Sequence, residues 1–236
     1  MIPILQVKNL QTHFFTKAGV LKAVDGVSFE IGAGEIVGLV GESGSGKSIT
    51  GFSILGLVDA PGRIVGGQIL FKGRDMTSVP PAEMQKLRGS RIAMIFQDPM
   101  MTLNPVLRIE TQMIESILTH DSSISKEEAR QRSRDTLGLV GISSPEERMR
   151  AYPHQFSGGM RQRVSIAIAM LNRPDLIIAD EPTTALDVTI QAQILDLMIK
   201  LKNEIGMSIL FITHDLGLIQ KFSDTITVMQ DGEVVE

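Results

Sequence analysis

The sequence predicts an α/β fold in which a mixed or mostly parallel sheet with flanking helices carries an antiparallel β-region and a helical insertion. An apolar segment, Ile36–Val40, leads through a glycine-rich loop into a helix, which is the order of a parallel α/β unit. Short apolar segments around it follow one another without crossover helices, which favours an antiparallel sheet. From about Ile109 to Leu171 the pattern is helical, and the strands resume at Leu176.

The loop after the first buried strand is predicted to bind a polyphosphate. It matches G-x-x-x-x-G-K-[ST] at every fixed position with Gly41-Glu42-Ser43-Gly44-Ser45-Gly46-Lys47-Ser48. Its glycines let backbone N–H groups turn inward around the anion, and the next helix points its positive N-terminus at it. Lys47 would reach the β- and γ-phosphates, Ser48 would ligate Mg²⁺, and Ile49 closes the binding segment. The alternative, a glycine-rich turn with a chance lysine, is disfavoured by the flanking strand and helix.

The N-terminal region is expected to form strands over residues 4–10, 24–31 and 66–71, because apolar and polar residues alternate there. Phe14 and Phe15 are candidates for stacking on an adenine base, since aromatic rings pack well on a base face. Periodicity alone leaves a core role for either ring equally open.

Composition narrows the classes of function. The chain has 236 residues, 43% of them hydrophobic, which suffices for one large domain or two small ones. Its formal net charge of −4 argues against nucleic acid as the main partner, and the absence of cysteine excludes disulfides and thiolate metal sites. No apolar run approaches the ~18 residues of a spanning helix, and no basic signal-peptide start is present, so a cytosolic protein is expected.

The middle of the chain holds a glutamine and a predicted helical region. Gln97 follows a predicted strand and would ligate Mg²⁺ or orient water, although such a residue alone is usually an ordinary surface side chain. After it, residues 98–105 contain two prolines that prevent a long regular element. Capping boxes are predicted at Ser125 and Ser144, and the arginines at 130, 132 and 134 are interpreted as a solvated helix face.

A second helix N-terminus, Ser157-Gly158-Gly159, opens an apolar helix and combines a hydroxyl with bare backbone. This arrangement suits an anion, although by itself it would more often be a simple cap.

Two later strands are predicted to end in acidic and basic side chains at one edge of the sheet. The strand Leu176–Ala179 leads into Asp180 and Glu181, and His214 follows the next strand. In parallel sheets ligands gather at the carboxyl ends of strands. We therefore predict that Asp180 holds Mg²⁺, that Glu181 activates the attacking water and that His214 contacts a γ-phosphate, rather than merely capping its strand. Asp187 is predicted to cap the long amphipathic helix that follows.

Taken in order, these motifs resemble those of the ATP-binding cassette (ABC) family over nearly the whole chain. The matching residues are the phosphate loop, Gln97, Ser157-Gly158-Gly159, Asp180-Glu181, Ala185-Leu186-Asp187 and His214. The resemblance implies a P-loop NTPase core with the ABC ATPase fold: a catalytic core and β-region at about 1–97 and 172–236, and a helical subdomain at about 98–171. It implies an ATPase that forms a dimer, with each ATP held between one subunit's phosphate loop and the other's Ser157-Gly158-Gly159. Asp187 would lie in the interface loop.

Three stretches resemble a narrower group, the ATPase subunits of peptide/nickel importers of the dipeptide and oligopeptide permease type: residues 96–105, 152–160 and 180–193. Phe156 and Met160, which differ from the Leu and Gln usual in the wider family, are ordinary in that group. The resemblance implies ATP and Mg²⁺ as cofactors, an identical or related second ATPase subunit, two transmembrane permease subunits, an indirect extracytoplasmic solute-binding protein, and a peripheral location on the cytoplasmic face of the membrane.

Peptides are the expected cargo, with nickel or another small solute as the alternative. Members of the group usually continue into a C-terminal extension, which is expected to be absent from this chain. The rival interpretations are a non-transport ABC ATPase, a nucleotide kinase or GTPase, and a module that holds ATP without hydrolysis. Exposed residues 98–105 are the predicted docking segment for a transmembrane partner.

Overall fold

The computed structural model describes residues 3–184 and 186–236, and it confirms the predicted α/β architecture with two sheets and a helical insertion. The strands are β1 (Leu5–Thr16), β2 (Gly19–Ile31), β3 (Ile36–Val40), β4 (Gly62–Phe71), β5 (Arg74–Asp75), β6 (Ile92–Ile95), β7 (Leu176–Asp180), β8 (Ser208–Thr213), β9 (Thr225–Gln230) and β10 (Glu233–Val234). The helices are α1 (Lys47–Ile54), α2 (Pro81–Leu87), α3 (Ile109–His120), α4 (Lys126–Leu139), α5 (Pro145–Met149), α6 (Gly158–Met170), α7 (Val188–Ile205) and α8 (Leu216–Ile219).

The larger sheet has six strands in the order β10-β9-β3-β8-β7-β6, and all pairs from β9 to β6 are parallel. β3 and β7 are buried along their whole length, because helices or the second sheet cover both faces. The register pairs Val40 with Thr213 and Asp180 with Ile212. The carboxyl ends of β3, β7 and β8 therefore meet at one edge.

The smaller sheet is antiparallel, in the order β2-β1-β4-β5, as the N-terminal pattern predicts. β1 extends to Thr16, so that Phe14 and Phe15 belong to a strand. Helix α1 packs against β1, β2 and β7 and lies between the two sheets. Leu5, Leu39 and Ile54 belong to the hydrophobic core that fills this space.

The helical region α3–α6 lies between β6 and β7 in the sequence and shares a second core with one face of the parallel sheet. The capping box at Ser125 is confirmed: its hydroxyl accepts from the Glu128 backbone N–H, and the Glu128 carboxylate accepts from the Ser125 N–H at 2.9 Å. The prediction of a capping box at Ser144 is wrong. Ser144 has a left-handed backbone (φ 50°), which turns its hydroxyl away, and among the described residues it makes no side-chain cap bond.

One of the three arginines of α4, Arg130, differs from the predicted solvated face. Arg130 is half-buried and pairs with Glu146 of α5 and, at 3.8 Å, with Glu110 of α3, so it joins three helices.

Within the described residues, no helix combines the length and apolarity needed to cross a membrane.

Candidate functional site

The phosphate loop leads from the end of β3 into α1 and encloses its own lysine. Lys47 is almost fully buried, and its Nζ donates to the carbonyl oxygens of Gly41 (2.8 Å) and Glu42 (2.7 Å) and to the Ser45 hydroxyl (3.3 Å). Burial lowers the pKa of Lys47, and the charges of Glu181 and Asp180 oppose that shift. The ammonium group of Lys47, the predicted phosphate contact, therefore lies inside the curve of the loop.

Two of the loop glycines are required by neighbouring backbone. A Cβ on Gly41 would lie 2.1 Å from the Met229 carbonyl oxygen of β9, and a Cβ on Gly46 would lie 2.2 Å from that of Ala23 in β2. Gly44 has open space around it and a positive φ of 86°. The loop thus lies close against strands of both sheets, and glycine at these positions permits that approach. The glycines also leave room for an anion.

Asp180 and Ser48 form the part of the site suited to a cation. Asp180 is 6% exposed at the end of β7, and its carboxylate accepts from the Ser48 hydroxyl at 3.0 Å. Burial raises the pKa of Asp180, the neighbouring charge of Glu181 raises it further, and the Ser48 hydrogen bond and Lys47 oppose the shift. A divalent ion would relieve the two carboxylates, so the donor set fits Mg²⁺.

The described residues contain no group of three or more His, Cys, Asp or Glu side chains placed to hold a metal ion. Mg²⁺ in nucleotide sites is usually bound through one or two protein oxygens together with phosphate oxygens and water, and Ser48 and Asp180 suit that arrangement.

Glu181 follows Asp180 and has both carboxylate oxygens hydrogen-bonded. The Nδ1–H of His214 donates to Oε1 at 3.0 Å, while Thr184 Oγ1 (2.9 Å) and Gln97 Nε2 (3.3 Å) donate to Oε2. Burial alone would raise the pKa of Glu181, but the hydrogen bonds from His214 and Thr184, with the charges of His214 and Lys47, hold the pKa below its usual value. The carboxylate therefore stays ionised and oriented near neutral pH.

Two adjoining cavities of about 420 and 620 Å³ form one trough along the phosphate loop. Both are lined by Ser43, Gln97 and Glu181; Lys47, Ser48 and Ile49 line the first, and Gly41, Glu42, Thr184 and His214 line the second. The structure thus brings together all the residues predicted for the loop, the metal and the chemistry, with Asp180 hydrogen-bonded to Ser48 beneath the trough.

The two candidate stacking rings are separated. Phe14 lines the trough with Leu21 and Ala23 from β2. Phe15 is 40% exposed and has the Arg63 guanidinium 4.3 Å above its ring, because successive residues of a strand point to opposite faces. Of the two predicted rings, Phe14 is the one that lines the trough.

Ser157 begins α6 as the sequence predicts, and its hydroxyl accepts from the Met160 N–H at 3.3 Å. Gly158 and Gly159 lie against Leu186 and Ile190, and none of the three residues lines either cavity of the trough. Asp187 is exposed at the start of α7; contrary to the prediction, its side chain makes no cap hydrogen bond among the described residues. Ala185 of the adjoining motif lies outside the described residues.

Thr184, Leu21 and Ala23 are the trough residues that the sequence analysis missed. Thr184 ends the turn Glu181-Pro182-Thr183-Thr184, and its N–H donates to the Glu181 carbonyl at 3.3 Å. Proline at the second position of a turn was the available signal, since it folds the fourth residue back over the first. Leu21 and Ala23 are strand residues of β2, and their sequence carried no such signal.

Comparison with known proteins gives concordant matches. A family model described as ABC transporter matches residues 24–184. The chain is 53% identical to the oligopeptide transport ATP-binding protein AppD of Bacillus subtilis, covering all of the chain and 72% of that protein. It is 53% identical to the peptidoglycan transport ATP-binding protein YejF of Agrobacterium fabrum (99% and 43%) and 48% identical to the dipeptide transport ATP-binding protein DppD of Escherichia coli (99% and 71%).

Among solved structures, a dimer of the ATP-binding cassette MJ0796 in a post-hydrolysis state with ADP and Pi is similar, with a TM-score of 0.87 and 30% identity over 98% of this chain and 97% of that one. The chain spans 43% to 72% of the three sequence relatives named above.

Proposed function

The chain belongs to the ABC transporter family and is an ATPase of that family, and from this premise we propose that it powers the import of di- and oligopeptides through a membrane transporter. The names of the relatives at about 50% identity, most of which specify dipeptide or oligopeptide transport, support this cargo class. Binding and hydrolysis of ATP follow from the trough, and the cargo is the part that rests on the relatives.

ATP would lie along the trough with its phosphates in the loop and its base toward Phe14. Lys47 would exchange the carbonyl oxygens of Gly41 and Glu42 for phosphate oxygens, because the ammonium group is already within the loop. Ser48, Gln97 and Asp180 would hold Mg²⁺, which neutralises phosphate charge when it is bound.

The single observation that carries the catalytic proposal is the pair of hydrogen-bonded oxygens on Glu181. Its carboxylate is ionised, fixed in direction and open to the trough, so it would take a proton from a water attacking the γ-phosphate. His214 is half-exposed on the same edge and would donate to a γ-phosphate oxygen. Positioning and charge neutralisation are the main contributions that phosphoryl transfer needs from a protein.

A second ATPase subunit, identical or related, would complete the site. Ser157, Gly158 and Gly159 present a helix N-terminus away from the trough of their own chain, which supports contact with an ATP held by a neighbour. The exposed Asp187 at the start of α7 would lie in the interface between the subunits.

The partner in the membrane would be a pair of permease subunits, with a solute-binding protein acting through them on the other side. The proposed docking surface leaves Leu103 out of residues 98–105 and adds Val106. Met101 (74% exposed) and Val106 (76% exposed) are open to solvent, whereas Leu103 is buried in the core beneath the helical region. Because this segment follows Gln97 directly, the surface would link the membrane subunits to the metal ligand. The protein would thus act at the cytoplasmic face of the membrane.

Replacing Glu181 by glutamine tests the catalytic assignment. The amide keeps the shape of the side chain but is no base, so the ATPase rate of the assembled transporter is expected to fall by at least about 100-fold, while ATP affinity stays within about threefold. Steady turnover at more than a tenth of the wild-type rate, in a preparation free of other ATPases, would refute the role of Glu181.

Uptake into vesicles that contain the complete transporter tests the cargo. ATP-dependent uptake is expected for labelled di- or oligopeptides and not for Ni²⁺. Uptake of Ni²⁺ alone would assign the chain to the nickel branch of the same group, and ATPase activity that responds to no membrane subunit would favour a non-transport ABC ATPase.

A further inference from the structure

The three donors that hold Glu181 differ in what else they would do during hydrolysis. Gln97 is a ligand of the proposed Mg²⁺ site, and His214 is the proposed partner of the γ-phosphate. Thr184 is assigned to neither the Mg²⁺ site nor the γ-phosphate. Its hydroxyl donates to Oε2 of Glu181 at 2.9 Å, which is the shorter of the two hydrogen bonds to that oxygen. Once ATP and Mg²⁺ recruit the other two side chains, Thr184 is the donor that remains on this carboxylate among the described residues.

The backbone around Thr184 fixes this hydroxyl. Thr183 is 4% exposed, its carbonyl oxygen accepts from the Gln191 side chain of α7 at 2.9 Å, and Pro182 is buried as well. The turn is therefore anchored at the two residues that precede Thr184, and the threonine side chain has few rotamers.

The backbone of Glu181 is in the left-handed region (φ 44°), and its N–H donates to the Ile212 carbonyl oxygen of β8 at 2.9 Å. Non-glycine residues adopt this conformation at a cost and do so mainly where neighbouring contacts hold them. The backbone bond holds the Cα, and three hydrogen bonds orient the carboxylate at the end of the side chain.

We propose that Thr184 is a positioning residue that holds the carboxylate of Glu181 toward the attacking water throughout the hydrolytic cycle. This inference rests on the proposed role of Glu181. Thr184 would bind neither nucleotide nor metal, so its effect would appear in the rate of the chemical step and not in ATP binding.

The test compares Thr184→Val with Thr184→Ser in the complete protein assembled with its permease subunits. Valine keeps the shape of the side chain and removes the donor, and serine keeps the donor and removes the methyl group. We expect kcat for ATP hydrolysis to fall roughly tenfold in the valine variant, in line with the loss of a hydrogen bond to a charged group, with KM within about twofold. Serine is expected to restore most of kcat. Thr119→Val, which removes an exposed hydroxyl on α3 far from the trough, is the matched control and should leave kcat unchanged.

Three outcomes would overturn the inference: an unchanged kcat in Thr184→Val, a raised KM at unchanged kcat, or a serine variant as slow as the valine variant. If the valine variant fails to fold, Thr184→Ala takes its place with the same expectations. The Glu181→Gln variant distinguishes a failure of this inference from a failure of the proposed role of Glu181 as the base. If Glu181→Gln abolishes turnover while Thr184→Val is fully active, only the role of Thr184 fails; if Glu181→Gln remains active, the assignment of the base itself fails.

Discussion

Replacing Gly46 by alanine is expected to destabilise the protein and to abolish ATP binding, whereas the same change at Gly44 should do far less. Both glycines have positive φ, 99° and 86°, so alanine costs about 1–2 kcal/mol of backbone strain at either position. They differ in what a Cβ would meet. At Gly44 the space is open, but at Gly46 the Cβ would lie 2.2 Å from the Ala23 carbonyl oxygen, well inside the 3.4 Å at which ordinary contact begins.

The atom in the way is backbone of β2, so no side-chain rotation relieves the contact and the loop or the strand has to move. Overpacking of this kind adds about 1–3 kcal/mol. We therefore expect Gly46→Ala to lower the free energy of unfolding by about 2–5 kcal/mol and Gly44→Ala by about 1–2 kcal/mol. Displacing the loop also moves Lys47, the next residue, out of reach of the phosphates.

Urea denaturation of both variants measures the stability difference, and titration with a fluorescent ATP analogue measures binding. Equal stabilities of the two variants, within about 0.5 kcal/mol, would show that the approach of β2 to the loop does not constrain Gly46. Retained ATP affinity in Gly46→Ala at reduced stability would show that the phosphates do not depend on the position of this turn.

Two further predictions concern the surface and the helical region. Met101→Asp places a charge on the proposed docking surface and is expected to reduce peptide uptake at least about tenfold, because a buried unpaired charge weakens an interface. The ATPase rate of the detached subunit should not change. Met101→Leu is the control, and undiminished uptake in the aspartate variant would remove this surface from the proposal. Ser125→Ala breaks a formed capping box and is expected to lower the free energy of unfolding by about 1 kcal/mol. Ser144→Ala removes a hydroxyl that makes no cap bond among the described residues and should leave the urea midpoint unchanged. Equal effects of the two substitutions would contradict this assignment of the caps.

Local sequence motifs were sufficient to predict the phosphate loop and the strand ends, because each depends on residues close together in the chain. The carboxyl ends of β3, β7 and β8 converge through parallel register, which follows from buried apolar segments and short connections. Asp180 and His214 could therefore be assigned to one edge from the sequence alone.

Features that depend on orientation across the chain could not be predicted in this way. Phe14 and Phe15 are consecutive in β1, and only the pairing with the neighbouring strands decides which ring faces the trough. Leu103 is within an irregular, proline-flanked segment that looks exposed, yet it is fully buried under the helical region. Ser144 has the residues of a capping box, but its left-handed backbone prevents the bond.

The inward position of the Lys47 ammonium group affects how variants of this lysine should be interpreted. Its three hydrogen bonds cross-link the first, second and fifth residues of the loop, so the amine supports the curvature of the anion cradle. A Lys47→Met variant would lose this cross-link together with the direct bond to phosphate. The resulting drop in nucleotide affinity would therefore overstate the strength of the lysine–phosphate interaction, because part of it measures the cost of rebuilding the cradle.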